Sequence, residues 1–131
     1  PLNEAQQAEA LAARIQDSAF LAIEFDGAVI GNLYLGAREF SAIELGYALA
    51  RAYWRNGFAK EAASAAIQTA FASGAHRIYA ECDPENEASW RLLEALGFAR
   101  EAHFRKNVYF KKDSIGNPIW KDTLVYSLLN E

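Results

Sequence analysis

The chain has 131 residues, of which 52% are apolar, and this is enough for one domain with a hydrophobic core, so we expect a single domain over residues 1–131. Its net charge of −4 comes without a run of like charge, which argues against a nucleic-acid surface, since such a surface needs a basic patch. Cys82 is the only cysteine, and the sequence has neither a secretory signal nor a long apolar run. We therefore expect a cytoplasmic protein without an internal disulfide that acts away from membranes.

The spacing of apolar residues and the position of turn signals predict nine secondary-structure elements. Asn3 can cap the first helix, Asp26-Gly27 has the composition of a two-residue hairpin turn, and Gly97 can end the third helix. In chain order we expect a helix over residues 3–16, strands over 20–25, 28–35 and 41–50, a helix over 57–73, a strand over 76–82, a helix over 87–96, and strands over 98–110 and 119–129, with loops at 36–40 and 111–118.

Antiparallel strands thus come first in the chain, and strand–helix–strand crossovers follow. This order predicts an α/β (α+β) fold in which helices flank a mixed, mostly antiparallel sheet. A crossover through a helix returns the chain in the same direction, so the strand over residues 76–82 should run parallel to the strand over 41–50.

One stretch of the sequence has the features of an anion site. Residues 53–62 follow the predicted strand over 41–50, lead into an alanine-rich helix and contain Gly57 at the turn. A glycine lets the backbone approach a ligand, and the N–H groups of the first helical turn point toward it. The stretch therefore predicts a phosphate site, with an ordinary strand–helix connection as the alternative. No Gly-Lys-Ser/Thr sequence follows, which argues against a P-loop nucleotide enzyme.

Three motifs, in the same order, resemble those of the GCN5-related N-acetyltransferase (GNAT) superfamily. The loop Trp54-Arg55-Asn56-Gly57-Phe58-Ala59 is similar to the family's acetyl-CoA loop in its glycine and its final small residue, although Trp stands where Gln or Arg is usual. Asn86-x-x-Ser89 is followed by Leu96-Gly97-Phe98. The chain ends with Trp120-Lys121-Asp122-Thr123-Leu124-Val125-Tyr126-Ser127-Leu128-Leu129. The sequence looks most like the branch that contains the ribosomal-protein N-terminal alanine acetyltransferases.

The resemblance implies a GNAT-like sheet with a central parallel strand pair, and an enzyme that uses acetyl-CoA as its co-substrate. The implied reaction is direct attack of a primary amine on the thioester, with a protein or peptide N-terminus as the acceptor. A small-molecule amine, such as a polyamine or an aminoglycoside, and a non-catalytic acyl-CoA-binding domain are the alternatives. The first strand and helix of the family, which help to bind the amine, have no counterpart here. Either the chain is a fragment, or the acceptor side is built differently, for example by another chain.

The resemblance also implies which residues hold the cofactor. Leu49 and the neighbouring backbone hold the pantetheine arm, and Asn86 contacts the same arm. Ser89 stabilises or protonates the departing thiolate. The alternatives are that Asn86 only caps the following helix and that Ser89 is a solvated helix residue. The diphosphate is held by the backbone of the loop and by nearby cationic side chains, which implies Arg55, Asn56, Gly57, Phe58, Ala59 and Lys60.

The reaction needs a base, because only a neutral amine has a lone pair to attack the thioester. Glu44, on the strand beside the implied cleft, is the first candidate, and Glu81 is a weaker one; the alternative is that Glu44 simply faces solvent. Some relatives carry a glutamate where this chain has Val108. Tyr109 lies near the position of an acid tyrosine in other relatives, with a packed strand aromatic as the alternative.

Other reactive side chains fit less well. In the sequence, no histidine is placed to activate Cys82, so a core thiol is favoured over an acyl-enzyme nucleophile. His76 and His103 lack the spacing of metal ligands, so we expect no metal site.

Overall fold

The computed structural model describes residues 20–25, 27–49 and 57–131. The predicted helix over residues 3–16 lies outside this part of the chain. The described residues form six strands and two helices, in the predicted order. They are β1 (Phe20–Phe25), β2 (Ala28–Arg38), β3 (Ala42–Leu49), α1 (Phe58–Ala72), β4 (Arg77–Cys82), α2 (Glu87–Ala95), β5 (Ala99–Lys112) and β6 (Pro118–Leu129).

These strands form a six-stranded sheet in the order β1-β2-β3-β4-β6-β5. The sheet is mixed and mostly antiparallel with one parallel pair, which confirms the predicted fold class. Neither helix of the described residues has the length and the apolar character that would allow it to span a lipid bilayer. The chain divides into two compact units, one formed by the residues up to Ile78 together with Leu129–Glu131, and the other by Tyr79–Leu128.

The first unit is built on an antiparallel meander of β1, β2 and β3. The turn between β1 and β2 contains Gly27 with a φ of 79°, a left-handed conformation that glycine adopts at little cost, as expected for the Asp26-Gly27 sequence. Helix α1 contacts β3, and the alanines on its buried side allow the backbones to approach closely. The core of this unit includes Leu33, Leu35, Leu45, Ala62, Ala63, Ala66, Ile67 and Ala70.

Two predicted boundaries are wrong. Gly36 to Arg38 belong to β2 rather than to a loop, because they pair in register with Glu44, Ile43 and Ala42 of β3. The turn between β2 and β3 comes only afterwards, where Phe40 and Ser41 have φ values of 60° and 57°. Similarly, β5 continues to Lys112, which pairs with Pro118, so the loop predicted to begin at residue 111 is shorter.

The second unit combines α2 with the antiparallel β5–β6 hairpin. Its core side chains include Leu93, Phe98, Leu124 and Tyr126. Gly97 follows α2 with a φ of 94°, which confirms the predicted glycine at the end of this helix. The pairing of β5 with β6 shifts between Phe104 and Val108, where Lys106 has a φ of 47°.

Candidate active site

The start of α1 is the structural counterpart of the predicted anion loop. Gly57 stands at the N-cap with φ 79° and ψ −4°, a left-handed conformation in which a side chain would be strained. The N–H of Glu61 donates to the carbonyl of Gly57 at 3.0 Å, so it is the first in the helix to have an intrahelical partner. The N–H groups of Ala59 and Lys60 precede it, and an α-helix gives them no such partner. They are therefore positioned to bind an acceptor group outside the helix.

The remaining loop residues are described only in part. Arg55 and Asn56 lie outside the described residues. Phe58 and Ala59 are half-buried, and Lys60 is exposed. Leu49 is the last residue of β3, and its backbone pairs with Gly31 of β2.

Glu44, the first candidate base, lies on β3 directly opposite Gly36 of β2. Its side chain is 27% exposed and forms an ion pair with Arg38, in which Nη2 donates to Oε1 at 2.7 Å. Glu44 therefore faces solvent only in part. The structure presents a half-buried carboxylate with one cationic partner.

Arg38 was not among the candidate site residues identified from the sequence. Its Nη2 also donates to the hydroxyl of Tyr34 at 3.0 Å, and its guanidinium lies 5.8 Å from the centroid of the Tyr34 ring. The hydrogen bonds from Arg38 to Tyr34 and to Glu44 raise the pKa of Arg38 above its ordinary value, so this side chain stays cationic. Gly36 makes the arrangement possible, because a Cβ there would come within 2.2 Å of the Tyr34 hydroxyl oxygen and 2.7 Å of Arg38 Nη1.

Asn86 is the N-cap of α2. Its Oδ1 accepts a hydrogen bond from the backbone N–H of Ser89 at 3.2 Å, and its carbonyl accepts from the N–H groups of Ser89 and Trp90. The helix-capping interpretation is therefore confirmed. The Asn86 side chain is exposed, so capping leaves its amide nitrogen available to a ligand.

Ser89 and Cys82 come together where β4 ends and α2 begins. Burial raises the pKa of the Cys82 thiol, and a hydrogen bond from Ser89 and the charge of Arg100 offset only part of this effect. A thiol with a raised pKa is a poor nucleophile near neutral pH, because the thiolate is the reactive form. The raised pKa agrees with the expectation that Cys82 forms no acyl-enzyme.

The other candidates lie in different surroundings. Tyr109 on β5 pairs with Trp120 on β6, and their rings meet edge to face with centroids 5.3 Å apart. This contact agrees with the alternative of a packed strand aromatic, although 44% of Tyr109 remains exposed. Val108 is half-buried on the same strand, opposite Lys121. Glu81, the weaker base candidate, is exposed on β4.

A second network holds α2 against the hairpin. The hydroxyl of the fully buried Tyr126 donates to Glu94 Oε2 at 2.7 Å and accepts from Arg100 Nε and Nη2 at 3.0 and 2.9 Å. Arg100 also lies 5.8 Å from the ring centroid of Trp90, the residue after Ser89. Burial and the hydrogen bond to Glu94 raise the pKa of Tyr126. These contacts fix the helix that carries Ser89, and nothing in the local sequence indicates them.

The described part of the chain contains no group of three or more His, Cys, Asp and Glu side chains that could hold a metal ion. His103 instead contacts Asp122, with 2.8 Å between Nε2 and Oδ2. The structure thus brings Glu44 together with Arg38 and Tyr34 in the first unit, and Asn86 together with Ser89 and Cys82 in the second.

Comparison with known proteins adds to this geometry. Residues 1–99 match the family described as "Acetyltransferase (GNAT) domain". The sequence is 33% identical over 106 residues to the uncharacterized N-acetyltransferase YnaD of Bacillus subtilis (strain 168). The aligned residues make up 80% of this chain and 57% of YnaD.

Two solved structures are also similar. The ribosomal-protein-S5-alanine acetyltransferase from Vibrio fischeri is 31% identical, with a TM-score of 0.70 over 81% of this chain and 57% of that one. The protein yncA from Salmonella typhimurium, solved with its cofactor acetyl-CoA, is 27% identical, with a TM-score of 0.74 over 91% of this chain and 69% of that one. The chain thus spans little more than half the length of YnaD and of the Vibrio enzyme.

Proposed function

Because the chain belongs to the GNAT acetyltransferase family, we propose that it transfers the acetyl group of acetyl-CoA to a primary amine. The start of α1 is the observation that carries this proposal. Gly57 brings no side chain to the positive end of the helix, and a Cβ at this position would meet nothing within 4 Å. A diphosphate suits this end of the helix, since its oxygens are anionic acceptors and the N–H groups of the first turn are donors.

Each half of CoA has proposed partners. The backbone from Gly57 to Lys60, completed by Arg55 and Asn56, binds the diphosphate, and the exposed Lys60 adds positive charge. The backbone at Leu49, where β3 ends, and the free amide of Asn86 bind the pantetheine arm. The Asn86 amide is exposed at the start of α2, where a ligand can reach it.

In the proposed reaction, Glu44 takes one proton from the ammonium form of the acceptor, and the neutral amine then attacks the thioester carbonyl carbon. The C–S bond breaks as the carbonyl re-forms, the electron pair leaves on the CoA sulfur, and the second proton lost by the attacking nitrogen neutralises the thiolate. The Ser89 hydroxyl donates a hydrogen bond to this sulfur, and Tyr109 is a weaker candidate for the same task. Cys82 takes no part, which agrees with its raised pKa.

A protein or peptide N-terminus is the proposed acceptor. The support is the 31% identity to a protein named as a ribosomal-protein-S5-alanine acetyltransferase, together with the branch that the motifs resemble. Acetyl-CoA turnover tests this, with release of free CoA measured against a panel of peptides that differ in their first residue. Faster turnover of a polyamine or an aminoglycoside than of any peptide would assign the chain to small amines instead.

The diphosphate site has a matched pair of variants. Gly57 and Gly74 stand at opposite ends of α1, both have a positive φ (79° and 106°), and a Cβ at either would meet nothing within 4 Å. Gly57→Glu and Gly74→Glu therefore each introduce a side chain at a positive φ, which is strained, and the same charge. We expect calorimetry to show CoA affinity at least about tenfold weaker in Gly57→Glu and almost unchanged in Gly74→Glu.

Equal losses in the two variants would place the diphosphate elsewhere. If CoA binds to the chain but no amine releases free thiol, the chain is an acyl-CoA-binding domain rather than an enzyme. Failure of CoA to bind at all would contradict both interpretations.

A further inference from the structure

The loop over residues 83–85, which joins β4 to α2, is held by a lysine of the hairpin. Lys121 of β6 forms ion pairs with both acidic residues of this loop, with Asp83 Oδ2 at 3.0 Å from its Nζ and with Glu85 Oε2. The Lys121 side chain is 25% exposed, so most of it lies against the protein. The hydrogen bonds to Glu85 and to Asp83 raise the pKa of Lys121, so this side chain stays cationic.

The loop also has hydrogen bonds of its own. Asp83 Oδ1 accepts from the backbone N–H of Glu85 at 2.9 Å, and the carbonyl of Asp83 accepts from the N–H of Asn86 at the same distance. The Asp83 carboxylate therefore has two tasks, since one oxygen orders the loop and the other binds Lys121. A displacement of the ammonium is thus transmitted to the turn that ends at Asn86.

This turn decides where the amide of Asn86 points. The Oδ1 of Asn86 caps α2, which leaves the amide nitrogen for a ligand, and the loop places that nitrogen. Ser89 depends on other contacts, because it lies within α2, whose Glu94 accepts from the hydroxyl of Tyr126. The loop therefore affects Asn86 more than it affects Ser89.

The ion pairs of Lys121 are poor candidates for a purely stabilising role. The side chain of Glu85 is 81% exposed and that of Asp83 is 31% exposed. Ion pairs at such positions contribute little to the free energy of unfolding, because water screens the charges. Their effect should therefore appear in the position of the loop.

We propose that Lys121 is a positioning residue, which holds the loop over residues 83–85 so that the amide of Asn86 meets the pantetheine arm of CoA. The inference rests on the proposed function, because it takes Asn86 as a contact of CoA. Lys121 does not touch the cofactor and acts through Asp83 and Glu85.

Calorimetry with CoA and steady-state kinetics with acetyl-CoA test this role in the whole chain. We expect Lys121→Met to weaken CoA binding and to raise the KM for acetyl-CoA about fivefold, the effect of one lost hydrogen bond. The kcat should be almost unchanged, because a contact made equally in the ground state and the transition state affects KM alone. Lys121→Arg should restore most of the affinity, since a guanidinium can bind both carboxylates.

Lys111→Met is the matched control, because it removes the same charge from an exposed position on β5 of the same hairpin. It should leave both the affinity for CoA and the KM unchanged. The melting temperatures of all variants show that each is folded. An equal loss of affinity in Lys111→Met would mean that the net charge of the hairpin is the cause, and this would overturn the inference.

A double variant separates positioning from direct contact with CoA. If Lys121 acts through Asn86, Lys121→Met should weaken CoA binding no further when it is added to Asn86→Ala. Losses that multiply would overturn the inference, as would an unchanged affinity in either single variant. CoA binding without turnover would contradict only the proposed transfer, since the affinities still test Lys121. A chain that binds no CoA would overturn both.

Discussion

Arg38 on β2 donates a hydrogen bond of 2.7 Å from Nη2 to the Oε1 of Glu44 on β3. Glu44 pairs across the two strands with Gly36, two residues before Arg38, and Tyr34 completes the group. The carboxylate proposed as the base is thus held in place by an arginine from the neighbouring strand.

This ion pair distinguishes a catalytic from a structural role for Glu44. If the carboxylate takes the proton of the amine, Glu44→Gln should lower kcat about a hundredfold or more, because a positioned base contributes that much. Arg38→Met keeps the carboxylate but removes its cationic partner, and it should have a much smaller effect. Steady-state kinetics with saturating acetyl-CoA measure both variants. Equal losses would mean that the two residues serve only as an ion pair.

Substitution of Gly36 is expected to disturb the contact between Tyr34 and Arg38 at a small cost in stability. In Gly36→Ala the new methyl group would lie 2.2 Å from the Tyr34 hydroxyl oxygen, so the tyrosine must turn away and release Arg38. These atoms are the ends of flexible side chains that can move aside, so we expect a loss of no more than about 1 kcal/mol in the free energy of unfolding, measured with urea.

Gly46→Ala is the matched control for Gly36→Ala. Gly46 pairs with Tyr34 from the next strand, and a Cβ there would lie at an ordinary 3.6 Å from the Tyr34 Cβ. The free energy of unfolding of the Gly46→Ala variant should be unchanged or slightly higher, since alanine restricts the unfolded chain more than glycine. A similar loss in both variants would show that close approach at Gly36 is not the cause.

Ser89 and Cys82 should differ in their effect on turnover. Ser89→Ala removes the proposed donor to the departing sulfur and should lower kcat about a hundredfold with little change in CoA affinity. Cys82→Ser replaces the thiol beside Ser89 by a hydroxyl and should retain most of the activity. Loss of activity in Cys82→Ser, together with an acetylated chain detected by mass spectrometry of the unsubstituted protein, would indicate a covalent route.

Tyr126 should make the fold sensitive to alkali. Its pKa is raised in the folded chain, so its contribution to stability is fully present below its ordinary pKa of 10.0 and is lost as the pH rises through the higher folded value. Tyr126→Phe removes the hydroxyl, and we expect about 1 kcal/mol less stability at neutral pH. The difference between the two proteins should shrink above pH 10, as followed by urea unfolding.

The order of the elements could be predicted from the sequence because each boundary depends on a local signal. Gly27 and Gly97 have positive φ values in the structure, at the positions where glycine was expected to turn the chain or end a helix. Gly36 misled the prediction for a physical reason. A glycine inside a strand resembles a loop residue in the sequence, whereas here it makes room for the side chains of Tyr34 and Arg38.

The candidate site was only partly predictable. Asn86 could be identified as a cap because capping depends on residues within one helical turn. The partners of Glu44 and Tyr126 could not be identified from the sequence. The contact of Glu44 depends on the register of two strands, and those of Tyr126 depend on how a helix and a strand pack against its own strand. Arg100 and Tyr126, for example, are 26 residues apart in the chain.

The two helices begin differently, and this has a consequence for the lifetime of the protein. The side chain of Asn86 caps the first turn of α2, whereas the N-cap of α1 is Gly57, which has no side chain that could cap the helix. If CoA provides the missing acceptors at α1, the loaded chain is more stable than the empty one, by about 2.7 kcal/mol at a hundredfold excess of ligand over its Kd. Proteases act on the opened chain, so the amount of this protein in a cell would rise and fall with the supply of CoA.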